Sequence, residues 1–402
     1  MEEERKMSRE TMRWAKEMQE QLTADRRHIH KNPELSFQET ETMKYICHRL
    51  DRLNIPYKKG IAGTGVLAEV RGREGGKCLL IRADMDALAL EEKRESVYRS
   101  VKPGVMHACG HDAHTAILLS TCELLQNHRS EFRGTVKFAF QPGEETTGGA
   151  EPMIEEGILE NPKVDACIAL HMDSDLDTGT MRIKPGSMYA SPDDFAITIL
   201  GRGGHGAEPQ HAVDPILVAA QIITQLQSVI SRNVDPFEEA VITIGSIHAG
   251  HASNVIPDTA ELLGTARSLT NEMRVFLSER IQAVVKTVCE CYGAAYEYRF
   301  IKLFPPLIND AEIAAGLLDS GRRCLGTEHC IWGGLPTMAG EDFAYFSQSV
   351  PSALFKLGCR STAKGITAPI HNPLFDIDED CLPNGAAVFT DFALEFLRPD
   401  QG

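Results

Sequence analysis

A regular alternation of strands and helices in the first half of the chain constrains its fold most strongly. Short apolar runs typical of buried strands alternate with helical segments, and the run at residues 78–83 is apolar enough to lie in the centre of a sheet. This order predicts an α/β domain built on a mostly parallel sheet. We predict strands at 64–70, 78–83, 135–141 and 166–170, and helices at 8–30, 39–53, 115–128 and 150–156.

Polar residues that can bind a metal ion or move a proton follow three of these strands. Asp84 and Asp86 come after the second strand; Glu144 and Glu145 come after the third, and His171 after the fourth. The carboxyl ends of parallel strands meet along one edge of the sheet, where ligands bind in α/β folds. We therefore expect these side chains to share one site.

The segment 106–114, Met-His-Ala-Cys-Gly-His-Asp-Ala-His, combines a thiol, three imidazoles and a carboxylate. The glycine lets the chain turn sharply between Cys109 and His111, and thiolate and imidazole are donors that zinc prefers. A lone cysteine or histidine is more often structural, so the metal site depends on the rest of the chain. His107 and His114 could support such a site or could equally be ordinary residues of the loop and helix.

Four polar residues surround the turn after the first predicted helix. His28 and His30 could be metal ligands, but the role of an ordinary polar residue at a helix end is favoured. Ser36 and Glu39 have the spacing of a capping box and predict the start of the next helix.

The pattern changes near residue 190. The order of predicted elements becomes β-α-β-β-α-β, which is that of a ferredoxin-like unit. We predict an inserted α+β domain at 191–304, within a catalytic domain formed by residues 1–190 and 305–402. The inserted elements are strands at 194–200, 240–248, 259–268 and 295–302, and helices at 214–231 and 271–292.

Length and charge exclude some classes of partner. The chain has 402 residues, enough for two domains, and its formal net charge of −16 argues against nucleic acid or an anionic membrane surface. No apolar run has the length of a membrane span or the position of a secretion signal. The eleven cysteines are scattered, which fits free thiols in a reducing compartment, so we expect a cytoplasmic protein.

Three motifs together resemble those of a known family. They are Arg-Ala-Asp-Met-Asp-Ala-Leu at 82–88, the segment 106–114, and Gln-Pro-Gly-Glu-Glu at 141–145. They resemble the metal-dependent amidohydrolases that include hippurate hydrolase, aminoacylases, N-acetyl-amino-acid deacetylases and plant hydrolases of indoleacetyl–amino acid conjugates. The resemblance covers nearly the whole chain and implies a dinuclear metal domain with an inserted lid domain. Ala89 departs from the relatives, which often have proline there.

The resemblance also implies two divalent metal ions and a set of ligands. Five donors are too many for one zinc ion that keeps a position open for water, but they suit two ions bridged by the Cys109 sulfur. Zinc is favoured, with manganese, cobalt or nickel as alternatives. The implied ligands are Cys109, His111, Glu145, His171 and His371.

Further residues take roles from the same resemblance. Glu144 would be the general base, and Asp86 would orient a metal ligand. His205 would stabilise the oxyanion from the lid. Asn254 and Arg267 would contact the substrate, although Arg267 could equally form a surface salt bridge.

The predicted reaction is hydrolysis of an N-acyl or N-aroyl amino acid to an acid and a free amino acid. A dipeptidase or carboxypeptidase with the same site is the alternative. A metal- or ligand-binding homologue without activity is disfavoured, because a purely structural site does not need Glu144. The expected partner is a small-molecule substrate, with a possible homodimer through the lid.

Overall fold

The computed structural model describes residues 2–398, with side chains from Glu10 onward. In that range the helices are α1 (Glu2–Glu17), α2 (Gln19–Lys31), α3 (Thr40–Arg52), α4 (His111–Asn127), α5 (Ala150–Glu155), α6 (Pro215–Asn233), α7 (Asn271–Tyr292), α8 (Ala311–Leu325), α9 (Ala344–Ser349) and α10 (Leu382–Phe396). The strands are β1 (Tyr57–Ile61), β2 (Gly65–Arg71), β3 (Arg73–Asp84), β4 (Arg133–Gln141), β5 (Ala166–Asp177), β6 (Met181–Ile183), β7 (Gly186–Tyr189), β8 (Ser191–Leu200), β9 (Gly204–His205), β10 (Ala240–Ala249), β11 (Val255–Ile256), β12 (Thr259–Ser268), β13 (Ala295–Ile301), β14 (Leu307–Asn309), β15 (Cys330–Trp332) and β16 (Ser352–Arg360).

The chain divides into two compact units. The first consists of the residues up to Gly186 together with Ile308–Leu335 and the residues from Tyr345 onward. The second consists of Ser187–Leu307 and Pro336–Ala344. Since neither unit is one continuous stretch, each depends on contacts between distant parts of the sequence.

The segment Pro336–Ala344 belongs to the second unit, whereas the sequence predicted it in the catalytic domain. Backbone hydrogen bonds give the physical reason. The Ala190 amide donates to the carbonyl oxygens of Thr337 and Ala339, at 3.1 and 3.0 Å. The segment therefore joins the chain just before β8 in the second unit.

The first unit is built on an eight-stranded sheet with the order β1-β2-β4-β3-β5-β16-β6-β15. The central strands β4, β3, β5 and β16 are parallel to their neighbours in that group. Antiparallel pairs occur toward the edges, at β1–β2, β2–β4 and β16–β6. The prediction of a mostly parallel sheet is confirmed.

Strand β5 is longer than predicted, because β16 pairs with it as far as Asp177. Helix α4 is buried along nearly all of its length, since it contacts α2, α10 and β3. Its apolar side chains join those of the sheet in one core that includes Ile81, Ile117, Phe138 and Ile168. The first turn of α4 is thereby held beside the ends of the central strands.

Ser36 and Glu39 do not form the predicted capping box. Instead, Glu34 Oε2 accepts hydrogen bonds from the amides of Glu41 and Thr42, each at 2.9 Å. The Ser36 hydroxyl donates to Asp86 at 2.7 Å. A local sequence pattern was outweighed here by a buried carboxylate that needs donors.

The second unit contains a four-stranded sheet with the order β10-β12-β8-β13, and every neighbouring pair is antiparallel. Apolar side chains of α6 and α7 pack against the strand residues that alternate toward one face. Asp214 caps α6, Thr270 caps α7, and Gly293 ends α7 in the left-handed conformation. The element order β-α-β-β-α-β along β8–β13 is that of a ferredoxin-like unit.

Among residues 2–398, no helix is both long enough and apolar enough to cross a membrane.

Candidate metal centre

The loop before α4 brings the two central donors together. Gly110 has a φ of 94°, and an added Cβ would lie 2.8 Å from Met172 Cγ. Only glycine fits this turn without strain or collision. Cys109 and His111 on either side of it are both buried.

Cys109 belongs to two groups of potential metal donors. Its Sγ lies 3.5 Å from Nε2 of His171, and with His111 these residues offer ligand atoms within 4.8 Å of one another. The same Sγ lies 3.3 Å from Nε2 of His371, which in turn lies 3.3 Å from Glu145 Oε1. The structure thus gathers the five predicted ligands around one sulfur.

The imidazoles of two predicted ligands have a fixed orientation. Nδ1 of His171 donates to the carbonyl oxygen of Met172 at 2.7 Å, and Nδ1 of His111 lies 3.2 Å from Asp86 Oδ1. Their Nε2 atoms are left to face the donor groups, an arrangement common to histidines that bind metals. His371 is different, since its side chain is 51% exposed.

Buried polar atoms without a partner test whether a cation fits. His111 Nε2 and Glu145 Oε1 are both buried, and neither makes a hydrogen bond of acceptable geometry among the described residues, although His371 Nε2 lies 3.3 Å from Glu145 Oε1. Native structures rarely leave such atoms unsatisfied. A sulfur, three imidazoles and a carboxylate are donors that suit zinc or a similar ion. The residues therefore fit a metal centre.

Asp86 connects three parts of this centre. It accepts from the Ser36 hydroxyl and, at 3.0 Å, from the backbone amide of Glu145, and it also faces His111. Burial opposes its charge, but the hydrogen bond from His111 and the other donors hold the pKa of Asp86 below its ordinary value. Asp86 can thus orient both the His111 ring and the loop that carries the two glutamates.

In the absence of a cation, the donor side chains do not have the protonation states that metal binding requires. Burial, reinforced by the charge of Glu145, raises the pKa of Cys109 to about 12. For His111 burial acts in the opposite sense, yet Asp84 and Asp86 raise its pKa well above its usual value. Burial lowers the pKa of His171. At neutral pH the thiol and His111 therefore carry protons that a cation would displace.

Glu144 and Glu145 follow β4 in a tight turn at Gly143, which has a φ of 69°. Glu144 is buried, and it offers an oxygen within 4.8 Å of donor atoms of His111 and Glu145. The amide of Gly143 donates to Glu39 at 2.9 Å. Glu39, expected in a helix cap, instead supports this loop.

In the second unit, two of the residues implied by the resemblance lie together. His205 pairs with Val255 in the short β9–β11 ladder, and the Gly206 amide donates to the Asn254 carbonyl oxygen at 2.8 Å. The Ala207 amide donates to Nδ1 of His205 at 3.1 Å. Since that nitrogen accepts, a neutral His205 carries its proton on Nε2.

Arg267 lies on β12, opposite Pro192 and Val241 in the sheet. Its side chain is half-buried, and none of the ion pairs among residues 10–398 includes it. The alternative of a surface salt bridge is therefore not observed in the described part of the chain.

The other candidate histidines lie outside the two donor groups that contain Cys109. His30 Nδ1 lies 2.7 Å from Asp112, and His28 stacks on Tyr45, so the ordinary polar role applies to both. His107 is buried, and neither of its ring nitrogens has a hydrogen-bond partner among the described residues. His114 contacts Asp84 instead.

Sequence reasoning missed the buried Arg26, which donates to Asp112 and to Asp376, each at 2.7 Å. These bonds join α2 to the start of α4 and to the segment after His371. The only signal in the sequence was an aspartate directly after His111, because a pairing across 350 positions leaves no periodic pattern.

Comparisons with known proteins identify the family of this chain. A model of peptidase family M20/M25/M40 matches residues 80–395. N-acetylcysteine deacetylase of Bacillus subtilis is 39% identical over 380 residues, which cover 93% of this chain and 96% of that protein. Thermostable carboxypeptidase 2 of Saccharolobus solfataricus is 37% identical over 385 residues, covering 95% and 96%. The crystal structure of the Bacillus subtilis YXEP protein, a dinuclear metal binding peptidase from the M20 family, has a TM-score of 0.84 at 35% identity and covers 95% of this chain and 99% of its own.

The protein is thus a hydrolase acting on amide bonds, as the motifs predicted. The chain belongs to peptidase family M20/M25/M40.

Proposed function

We propose that this protein hydrolyses N-acyl amino acids at a centre of two divalent metal ions, releasing a carboxylic acid and a free amino acid. The observation that carries the proposal is the position of the Cys109 sulfur in two donor groups, with the additional carboxylate of Glu144 beside them. A site that only binds metal does not need that additional acid.

Cys109, His111 and His171 would hold one ion, and Cys109, Glu145 and His371 the other. When bound, the ions supply Lewis-acid polarisation of the substrate carbonyl and lower the pKa of water. Sulfur and imidazole donors favour zinc, with manganese, cobalt and nickel as the alternatives to compare.

Glu144 moves the proton in this proposal. Its carboxylate accepts a proton from the attacking water and delivers it to the amide nitrogen as the C–N bond breaks. The neighbouring Glu145 has a different role in this proposal, because it shares a donor group with Cys109 and His371, whereas Glu144 shares none with Cys109. Two consecutive glutamates thus have separate tasks.

We assign substrate recognition to the second unit, acting as a lid. With its proton on Nε2, His205 can donate a hydrogen bond to the oxyanion that develops on the carbonyl. Arg267, without a carboxylate partner among the described residues, suits the free carboxylate of an amino acid, and Asn254 would contact the same substrate. The edge strand β10 of this unit would join two copies in a homodimer, which sedimentation would detect.

The alternative is a carboxypeptidase, the activity named for the relative from Saccharolobus solfataricus. N-acyl amino acids and peptides both have a free carboxylate, but only a peptide also has a positively charged amino terminus. We expect the protein not to prefer substrates that have this amine.

A substrate panel tests the proposal. N-acetyl, N-benzoyl and indoleacetyl amino acids are compared with dipeptides, each with zinc, manganese, cobalt and nickel. The expected result is a higher kcat/KM for at least one N-acyl class than for every dipeptide, with turnover abolished by a chelator. Faster cleavage of dipeptides would favour the alternative, and no metal-dependent cleavage of any amide would contradict both.

A further inference from the structure

A third group of potential ligand atoms lies next to the metal centre. Asp84, His111 and His114 offer atoms within 4.8 Å of one another, all buried. We infer that His114 is not a ligand but a positioning residue, which fixes the orientation of His171 and thereby the affinity for one of the two ions. The inference rests on the metal centre in the proposed function.

The hydrogen bonds of His114 determine where its proton lies. The backbone amide of Met172, which can only donate, lies 2.9 Å from Nε2 of His114. That nitrogen must therefore accept, so the ring proton is on Nδ1, which donates to Asp84 Oδ1 at 2.5 Å. Both ring nitrogens are engaged, and neither is available to a cation.

Asp84 is engaged as well. Its Oδ2 accepts from Arg82 Nη1 at 2.7 Å, and Arg82 is fully buried beside it. The backbone oxygen of Asp84 accepts from the Thr115 hydroxyl at 3.0 Å. The carboxylate is thus neutralised by the guanidinium and anchored to α4, so this third group braces the centre and does not add a cation site.

Met172 connects His114 to a proposed ligand. The amide of Met172 is held by His114, while the carbonyl oxygen of the same residue accepts from Nδ1 of His171 at 2.7 Å. One residue of β5 therefore transmits the position of the His114 ring to the His171 ring. His114 is fixed on α4 one turn after His111, which belongs to the same donor group.

This path reaches only one of the two donor groups. The hydrogen bonds of His114 lead to Met172 and Asp84, whereas Glu145 is held by Asp86. Loss of the path should weaken the ion held by Cys109, His111 and His171 more than the ion held by Cys109, Glu145 and His371. A role in general stability would affect the two ions alike.

Two substitutions separate the hydrogen bonds of His114. An asparagine amide can replace Nδ1 as donor to Asp84 but cannot reach Met172, whereas a glutamine oxygen can replace Nε2 as acceptor. We expect His114→Asn to lower the affinity for one ion by at least about tenfold, as is typical when a partner of a ligand is lost, and His114→Gln to lower it less. In both variants, the affinity for the other ion should fall by less than the affinity for the first.

The experiment titrates the full-length metal-free proteins with zinc in competition with a chromophoric chelator, and resolves two binding steps. Thr121→Val is the matched control, because its buried hydroxyl donates to Ile117 at 2.8 Å on the same helix, farther from the centre. Thermal unfolding of the metal-free proteins measures the general loss of stability, and the control should keep both wild-type affinities.

The supporting result is a loss that is larger in one step than in the other and larger in His114→Asn than in His114→Gln. Equal losses in both steps, or wild-type affinities in His114→Asn, would overturn the inference while leaving the metal centre intact. A wild-type protein that binds fewer than two ions would contradict the metal centre itself, and this inference with it.

Discussion

The two units present their candidate residues in different ways. In the first unit His111 and His171 are buried, and a neighbour fixes each ring. In the second unit His205 and Asn254 are exposed, and Arg267 is half-buried without an ion pair among the described residues. The rings of the first unit are held in place without a substrate, whereas the second unit has polar groups available to bind a substrate.

This difference suits two different tasks. Charge stabilisation works best with groups that do not reorganise during the reaction, and burial with fixed hydrogen bonds provides that. Recognition of a substrate carboxylate instead uses a positively charged side chain that has no carboxylate partner in the free protein. Substitutions in the first unit should therefore change turnover or metal affinity, and substitution of Arg267 in the second unit should change KM.

The largest effect is expected at Glu144. Glu144→Gln keeps the size of the side chain but removes the proton acceptor, so we expect kcat to fall by about 10²–10⁴-fold with unchanged metal content. Glu151→Gln, at an exposed position on α5, is the control and should behave like the wild type. Near-normal kcat in Glu144→Gln would remove Glu144 from the role of base.

A second test uses pH and concerns the first unit alone. In the metal-free protein the pKa of Cys109 is raised to about 12 and that of His111 is raised as well, so both hold protons near neutral pH. Metal ions must displace these protons, and raising the pH makes that easier. Apparent affinity should rise with pH, by about tenfold per unit for each proton released.

Calorimetry in buffers with different heats of ionisation counts the released protons. We expect about two per chain on metal loading near neutral pH, one from the thiol and one from His111. Binding that releases no protons would show that these residues are not the ligands.

A smaller effect is expected in the second unit. Arg267→Gln should raise KM by about 10–100-fold for N-acyl amino acids, the worth of a hydrogen bond between charged groups, with little change in kcat. Substrates whose carboxylate is converted to an amide should show no such difference between the two proteins. Arg299→Gln, at an exposed position on β13, is the control. A large fall in kcat with unchanged KM would contradict the division of tasks.

The smallest effect is expected at Ser36. Ser36→Ala removes one of three donors to Asp86. The lost hydrogen bond is worth about 0.5–1.5 kcal/mol. If that free energy is lost from transition-state stabilisation, kcat falls by about tenfold or less. Ser349→Ala, which removes an exposed hydroxyl that bonds within α9, should have no effect on kcat. An equal result in both variants would mean that Ser36 does not contribute to the centre.

Sequence could predict the residues that follow strands but not the contacts that brace them. Glu144, Glu145 and His171 were found because apolar periodicity locates the strand ends, and ligands collect there. The bonds from Arg26 to Asp376 and from Met172 to His114 join segments far apart in the chain, so no local pattern reveals them.

Local patterns also misled where burial imposed a stronger demand. The spacing of Ser36 and Glu39 fits a capping box, yet both side chains bond elsewhere: to Asp86, and to Gly143 and Thr64. Burying a carboxylate or an amide without a hydrogen-bond partner costs more free energy than a helix cap contributes. Only the folded structure shows which of these groups lies close enough to bond.

The central claim is that two metal ions share the Cys109 sulfur. Elemental analysis and near-ultraviolet absorption of the cobalt-loaded protein test it together, with Cys109→Ser as the comparison because the chain has eleven cysteines. We predict two cobalt ions per wild-type chain with thiolate-to-cobalt charge-transfer absorption, and the loss of that absorption together with weaker metal binding in Cys109→Ser. Charge-transfer absorption that persists in Cys109→Ser, or a variant that still binds two ions with wild-type affinity, would contradict the account.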